Sequence, residues 1–176
     1  NASDATEFSY VRISGAEKFH GGGMYLYYSN PTLTHVTITG NTAADGGGMD
    51  LFFSNPTLTH VTISNNTSSS YGGGMYLFFS NPTLTHVTIS NNEANYAGGM
   101  SLDSSNPTLT HVTITGNTAE YRGGGMYLYS SHPTLTHVTI SNNEADDGGG
   151  MRLNESNPTL THVTISNNEA DDGGGM

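Results

Sequence analysis

The chain contains no cysteine and no tryptophan, and only four of its 176 residues are lysine or arginine. Without cysteine, no disulfide can staple the fold, and the redox compartment leaves no mark on the sequence. The few basic residues stand against 15 acidic ones, giving a formal net charge of -11. Such a chain is repelled by nucleic-acid phosphates and by anionic membrane surfaces. Cations, neutral glycans, other proteins and solid surfaces remain as partners. Long apolar runs are also missing: none approaches the roughly 18 residues of a membrane helix, so no transmembrane segment is expected. The opening "NASDATEFSY" has neither the basic nor the apolar region of a leader, as expected of a mature or excised piece.

What is present is repetition. "GGGMYLYYSNPTLTHVTITGN", Gly21 to Asn41, returns with few changes along the chain. The methionines after the glycine runs are Met24, Met49, Met75, Met100, Met126, Met151 and Met176, spaced 25 or 26 residues apart. Each valine of "THVT" follows its methionine by 12 residues, and an asparagine follows that valine by 5. All length variation falls between this asparagine and the next glycine run. A rigid frame with one tolerant stretch is the signature of a solenoid.

A helix is excluded by "TLTHVTIT", rich in β-branched residues, with proline before it and glycine or asparagine after it. The pattern predicts three short strands per coil, near Met24–Tyr28, Thr32–Thr34 and Val36–Thr39. Met24, Leu26, Leu33, Val36 and Ile38 point inward, and the tyrosines and threonines between them point outward. One coil cannot bury its own apolar face, so neighbouring coils must stack. The glycines allow positive φ or close coil-to-coil approach. No Lys-Ser/Thr pair follows them, so they do not form a phosphate loop.

The pattern "NPTLTHVTISNNTA…GGGM" resembles the repeat of right-handed parallel β-helix proteins. More closely, it is similar to the degenerate repeats of secreted bacterial surface proteins, of the polymorphic outer-membrane-protein-like and pectate-lyase-like kinds. An asparagine usually stands in those repeats where His35 stands here. The resemblance spans residues 8–176. It implies an all-β solenoid of about seven coils, forming one domain over residues 1–176. Residues 1–20 make a diverged first coil that lacks the histidine and the asparagine, and residues 21–176 make regular coils. The resemblance also implies a secreted or cell-surface location.

Functional candidates come as columns. Thr32 and Thr34, Thr57 and Thr59, Thr83 and Thr85, Thr108 and Thr110, Thr134 and Thr136, and Thr159 and Thr161 form a grid. Its spacings are roughly 6.7 Å along a strand and 4.8 Å between coils. The grid resembles the ice-binding face of β-solenoid antifreeze proteins, although outward threonine is also simply a good strand former. Tyr25, Tyr27, Tyr28, Phe52, Phe53, Tyr76, Phe78 and Phe79 form an aromatic strip that breaks at Ser101 and Asp103. Exposed aromatics point to a partner, either a glycan ring or a neighbouring domain. His35, His60, His86, His111, His137 and His162 read as stacked corner residues. If they are partly buried, protonation in acid would set like charges about 5 Å apart. Asn41, Asn66, Asn92, Asn117, Asn143 and Asn168 read as turn residues whose amides bond to one another.

Asp146, Asp147, Asp171 and Asp172 recur in successive coils as a candidate calcium site, the only cofactor suggested. Lyase chemistry would need an acidic cluster beside an Arg or Lys base. Only Arg122 and Arg152 lie in the later coils, and no acid is duplicated into a groove, so an enzyme is not expected. The chain stops as a further coil would begin, with no capping segment. Open β-edges template other chains, so end-to-end self-association, or stacking on other surface domains, is expected. The sequence reads as an extracellular stalk or filament subunit, with ice binding or glycan adhesion as alternatives.

Overall fold

The structure is a computed structural model that describes residues 6–176. Residues 1–5, the start of the diverged first coil, lie outside the described residues. Every strand pairs in parallel with its equivalent one coil away. Phe8 lies against Leu33 and Ile13 against Ile38, so the first coil joins the frame where expected. Stacked rings of neighbouring coils stand 4.7–5.0 Å apart along the histidine column, which measures the coil rise directly.

Each coil has four sides rather than three. The methionine sheet holds Met24–Tyr27, the leucine sheet Thr32–Thr34, and the isoleucine sheet Thr37–Thr39, each with its equivalents in the other coils. The fourth, the alanine sheet, runs through the stretch that reads as a tolerant loop, beginning with Glu17–His20 and Thr42–Asp45. Backbone pairing across coils overrides the poor strand propensity of "TAAD" and "EANY". Length changes are absorbed there without disturbing the other sides. The two-residue strand Thr67–Ser68 is followed by a bend, and the five-residue strand Thr118–Arg122 shifts register against both neighbours.

The core is a set of ladders. In the central coils Leu, Ile, Met and Val of successive turns are almost completely buried, among them Leu58, Ile63, Met75 and Val87. The alanine sheet turns only small residues inward, such as Ala43, Ser68 and Ala94. The coil is narrow there because the glycine run packs against it. A Cβ on Gly47 would lie 2.5 Å from the Thr67 carbonyl oxygen, and one on Gly48 2.5 Å from that of Gly74.

Four corners close each coil, and each corner has one residue in the left-handed region. In the second coil they are Tyr28, His35, Gly40 and Gly46, with φ of 48°, 53°, 64° and 61°. Bulky residues are uncommon there. Ring stacks line the histidine corner throughout, and the tyrosine corner only at Tyr28, Phe53 and Phe79, before Ser104, Ser130 and Glu155 take the same conformation.

Candidate functional site

The corners and ladders must be separated from whatever else the surface offers. The asparagine corner is wholly structural. Asn66 Nδ2 donates to Asn92 Oδ1 at 3.0 Å and to the Ile38 carbonyl at 3.1 Å. Its own Oδ1 accepts from the backbone nitrogen and the Nδ2 of Asn41. All four hydrogen-bonding positions of the amide are thereby filled. The same pattern passes through Asn92, Asn117 and Asn143 and ends on Asn168. The amide-to-amide bonding expected of this column is present.

A second polar ladder escaped the sequence reading. Ser54, Ser80, Ser105 and Ser131 are fully buried. Each hydroxyl accepts the backbone N–H of the serine one coil earlier and donates to the carbonyl two residues before it. The serine two places before every proline was the available signal.

The histidine column is exposed and forms a parallel ring stack. Tyr10 takes the histidine place in the first coil and stacks on His35 at 4.9 Å. The threonine grid is in register through all six coils. Outward threonine or serine also lines the adjoining isoleucine sheet, as at Thr62 and Ser64, so the feature belongs to two faces of the repeat.

The four aspartates proposed for calcium do not converge. Asp147 accepts a hydrogen bond from Arg152 Nε at 2.7 Å, with Arg122 at 3.9 Å. Asp146 and Asp171 instead line a separate recess on the alanine sheet with Glu120, Glu144 and Glu169. Among the described residues no three His, Asp or Glu side chains gather as a metal-holding group.

The outer face of the methionine sheet breaks the rule of repetition. Its corner column stacks Tyr28 on Phe53 at 5.0 Å and Phe53 on Phe79 at 5.3 Å, rings nearly parallel. Beside it Tyr27, Phe52 and Phe78 stack at 5.6 and 4.7 Å. The two columns lock edge to face, as Phe78 on Phe79 at 4.7 Å and 88°. Tyr25 and Tyr76 belong to a third column, and Tyr76 is packed against Tyr71 at 5.7 Å. Tyr71, Tyr96 and Tyr121, unnoticed in the sequence, add another aromatic run at the neighbouring corner.

This third column alternates large and small. Strand register places Tyr25 against Asp50, Asp50 against Tyr76, Tyr76 against Ser101, and Ser101 against Tyr127. Two notches result. One, of about 260 Å³, opens over Ser101, Leu102 and Asp103, and Tyr71, Tyr76, Tyr127 and Tyr129 line it. The other, of about 500 Å³, opens over Asp50, and His20, Tyr25, Phe52 and Tyr76 are among its walls. Part of the aromatic strip, Tyr25, Tyr27, Phe52, Tyr76 and Phe78, therefore lines notches that also hold carboxylates.

Electrostatics differ between the two notches. Asp50 is 2% exposed, and burial pushes its carboxyl up to about 7 against the opposing pull of His20. Burial also raises the Tyr76 hydroxyl, with Asp103 adding to the effect. Sequence reasoning missed the grouping of His20, Asp45 and Asp50 because the three lie on different strands and recur in no other coil.

Among the described residues no helix is long and apolar enough to cross a membrane. A family model described as "Right handed beta helix region" matches residues 1–145 and again residues 110–176. No curated protein matches the chain.

Proposed function

The chain belongs to the right-handed β-helix family, and on that premise we propose that it is an extracellular, rod-like scaffold that binds neutral glycans along its methionine sheet. A β-solenoid of this kind is typical of secreted and surface proteins, and the acidic surface suits a solvated location. One observation carries the glycan reading: the aromatic column Tyr27–Phe52–Phe78 stops at Asp103 and resumes at Tyr129. Rings within the column stand 4.7–5.6 Å apart. The gap spans two coil rises, about 9.6 Å, so it accepts one ring of similar thickness.

A saturated sugar ring suits that gap. Its C–H faces meet the Phe78 and Tyr129 rings, Tyr127 walls it alongside, and its hydroxyls meet Ser101 and the Asp103 carboxylate. Binding rather than catalysis is the role we assign. Affinity electrophoresis through gels containing neutral glucan, mannan or galactan tests the reading. One of these should retard the protein, and Tyr127→Ala or Phe78→Ala should weaken that retardation at least tenfold without changing the far-UV circular dichroism. Equal retardation of Tyr127→Ala and wild type would sink the idea.

The in-register threonine grid supports a second reading, ice binding. An ice-recrystallisation assay decides it: growth rates unaffected at micromolar protein remove it.

A further inference from the structure

We infer that the notch over Asp50 is a binding site for a monovalent organic cation, an alkylammonium or quaternary ammonium group, distinct from the glycan gap over Ser101. The argument begins with a carboxylate that lacks partners. Asp50 Oδ2 lies 3.2 Å from His20 Nδ1, but Asp50 Oδ1 is buried and has no hydrogen-bond partner. A buried acceptor left open is costly, and native structures seldom keep one without a use.

The surroundings fix the chemistry of the ligand. Along its column Asp50 has Tyr25 on one side and Tyr76 on the other, with Phe52 on the flank. Aromatic walls around an anionic floor are the setting in which a cation gains from ring quadrupoles and from charge together. Asp45, 3.8 Å from the same His20 nitrogen, adds a second carboxylate. The floor is negative: after burial, Asp50 is the next cause that raises the Tyr25 hydroxyl, and for Tyr76 burial is followed by Asp103, Asp45 and then Asp50. A hard divalent ion would need six or more oxygens, and two carboxylates walled by rings do not supply them. A soft organic cation needs only the charge and the rings.

His20 is the present partner of both carboxylates. It is half exposed, on the first strand of the alanine sheet, and its ring rests on Tyr25 at 5.5 Å. A cation entering the notch takes its place beside Asp50, and the imidazole turns out to solvent. The groups that set the pH response are therefore Asp50 itself, His20, Asp45, Tyr25 and Tyr76. With Asp50 near 7, a ligand that needs the carboxylate binds best above neutrality and loses about tenfold in affinity per pH unit below it.

The test is calorimetric titration of the whole chain with choline and with dimethylbutanol, its uncharged carbon isostere, at pH 6 and pH 8. Choline should bind at least tenfold more tightly than the isostere, and more tightly at pH 8. Asp50→Asn should abolish the preference for charge, and His20→Gln should strengthen choline binding by removing the competitor. Tyr127→Ala, which lies in the other notch, should leave choline binding unchanged, so this proposal can fail while the glycan reading stands. Equal binding of choline and isostere, or an affinity independent of pH in the wild type, overturns it without recourse to any variant.

Discussion

The asparagine ladder and the Tyr25 column are made by the same repeat, one coil at a time, and they differ in a single respect. From Asn41 to Asn168 the ladder never changes residue, and each amide from Asn66 to Asn143 is filled by the neighbouring asparagines and by a backbone carbonyl. The column reads Tyr25, Asp50, Tyr76, Ser101, Tyr127, Arg152, and its departures from uniformity leave cavities and an unfilled carboxylate oxygen. In a stacked fold, a column without exceptions spends its hydrogen bonds on itself. A broken column leaves groups free to meet something else.

Breaking the uniform column should do the most damage. Asn92→Ala removes the acceptor used by both the backbone nitrogen and the side-chain amide of Asn66, and leaves the Ile63 carbonyl without its donor. Stranding these buried groups should cost about 3–4 kcal/mol, read as a shift in the midpoint of urea unfolding.

Altering the broken column should instead stabilise the protein. Asp50 rises in the folded state from 3.8 to about 7, so the native protein holds a proton that the unfolded chain releases across that window. Stability therefore falls as pH rises from about 4 to 7 and stays lowered above it. Asp50→Asn should be more stable than wild type at pH 8, by about 4 kcal/mol for a rise from 3.8 to about 7, and show no advantage at pH 4. A variant no more stable at pH 8 would mean that the carboxylate carries no strain. Function held at a cost in stability is the common arrangement for a site.

The smallest effect sharpens the contrast from inside the frame. Ala97 has φ of 59° at a corner where every other coil has glycine, among them Gly72 and Gly123. Ala97→Gly relieves the left-handed Cβ but frees the unfolded chain. The balance should favour the variant by about 0.5 kcal/mol, detectable as a rise in melting temperature.

Much of the frame was legible in the sequence because its cause is local. Alternation of Met24 with Leu26, and of Val36 with Ile38, prescribes which side chains face inward, and the spacing prescribes what stacks on what. The alanine sheet was not legible. Its strands are held by pairing with other coils, and residues such as Thr42–Asp45 carry no strand signal of their own. The serine ladder was visible as an invariant letter, but its bonds to the coil before could not be read without the path of the chain. The aromatic strip and its interruption at Asp103 were foreseen. The notch at Asp50 was not, since it depends on His20 bending from the diverged first coil toward the second.

The ladder bonds themselves have a mechanical consequence. Strands run around the rod, so the bonds that join one coil to the next lie along its axis. Compression and bending load all four sheets together, and the rod resists them as a strut. Tension applied through the chain loads one coil at a time, because the outermost turn can peel while those beneath stay closed. Each turn that lets go releases 25 or 26 residues, about 85 Å of extended chain. The molecule is thus stiff when pushed and lengthens in steps when pulled, giving ground by whole coils.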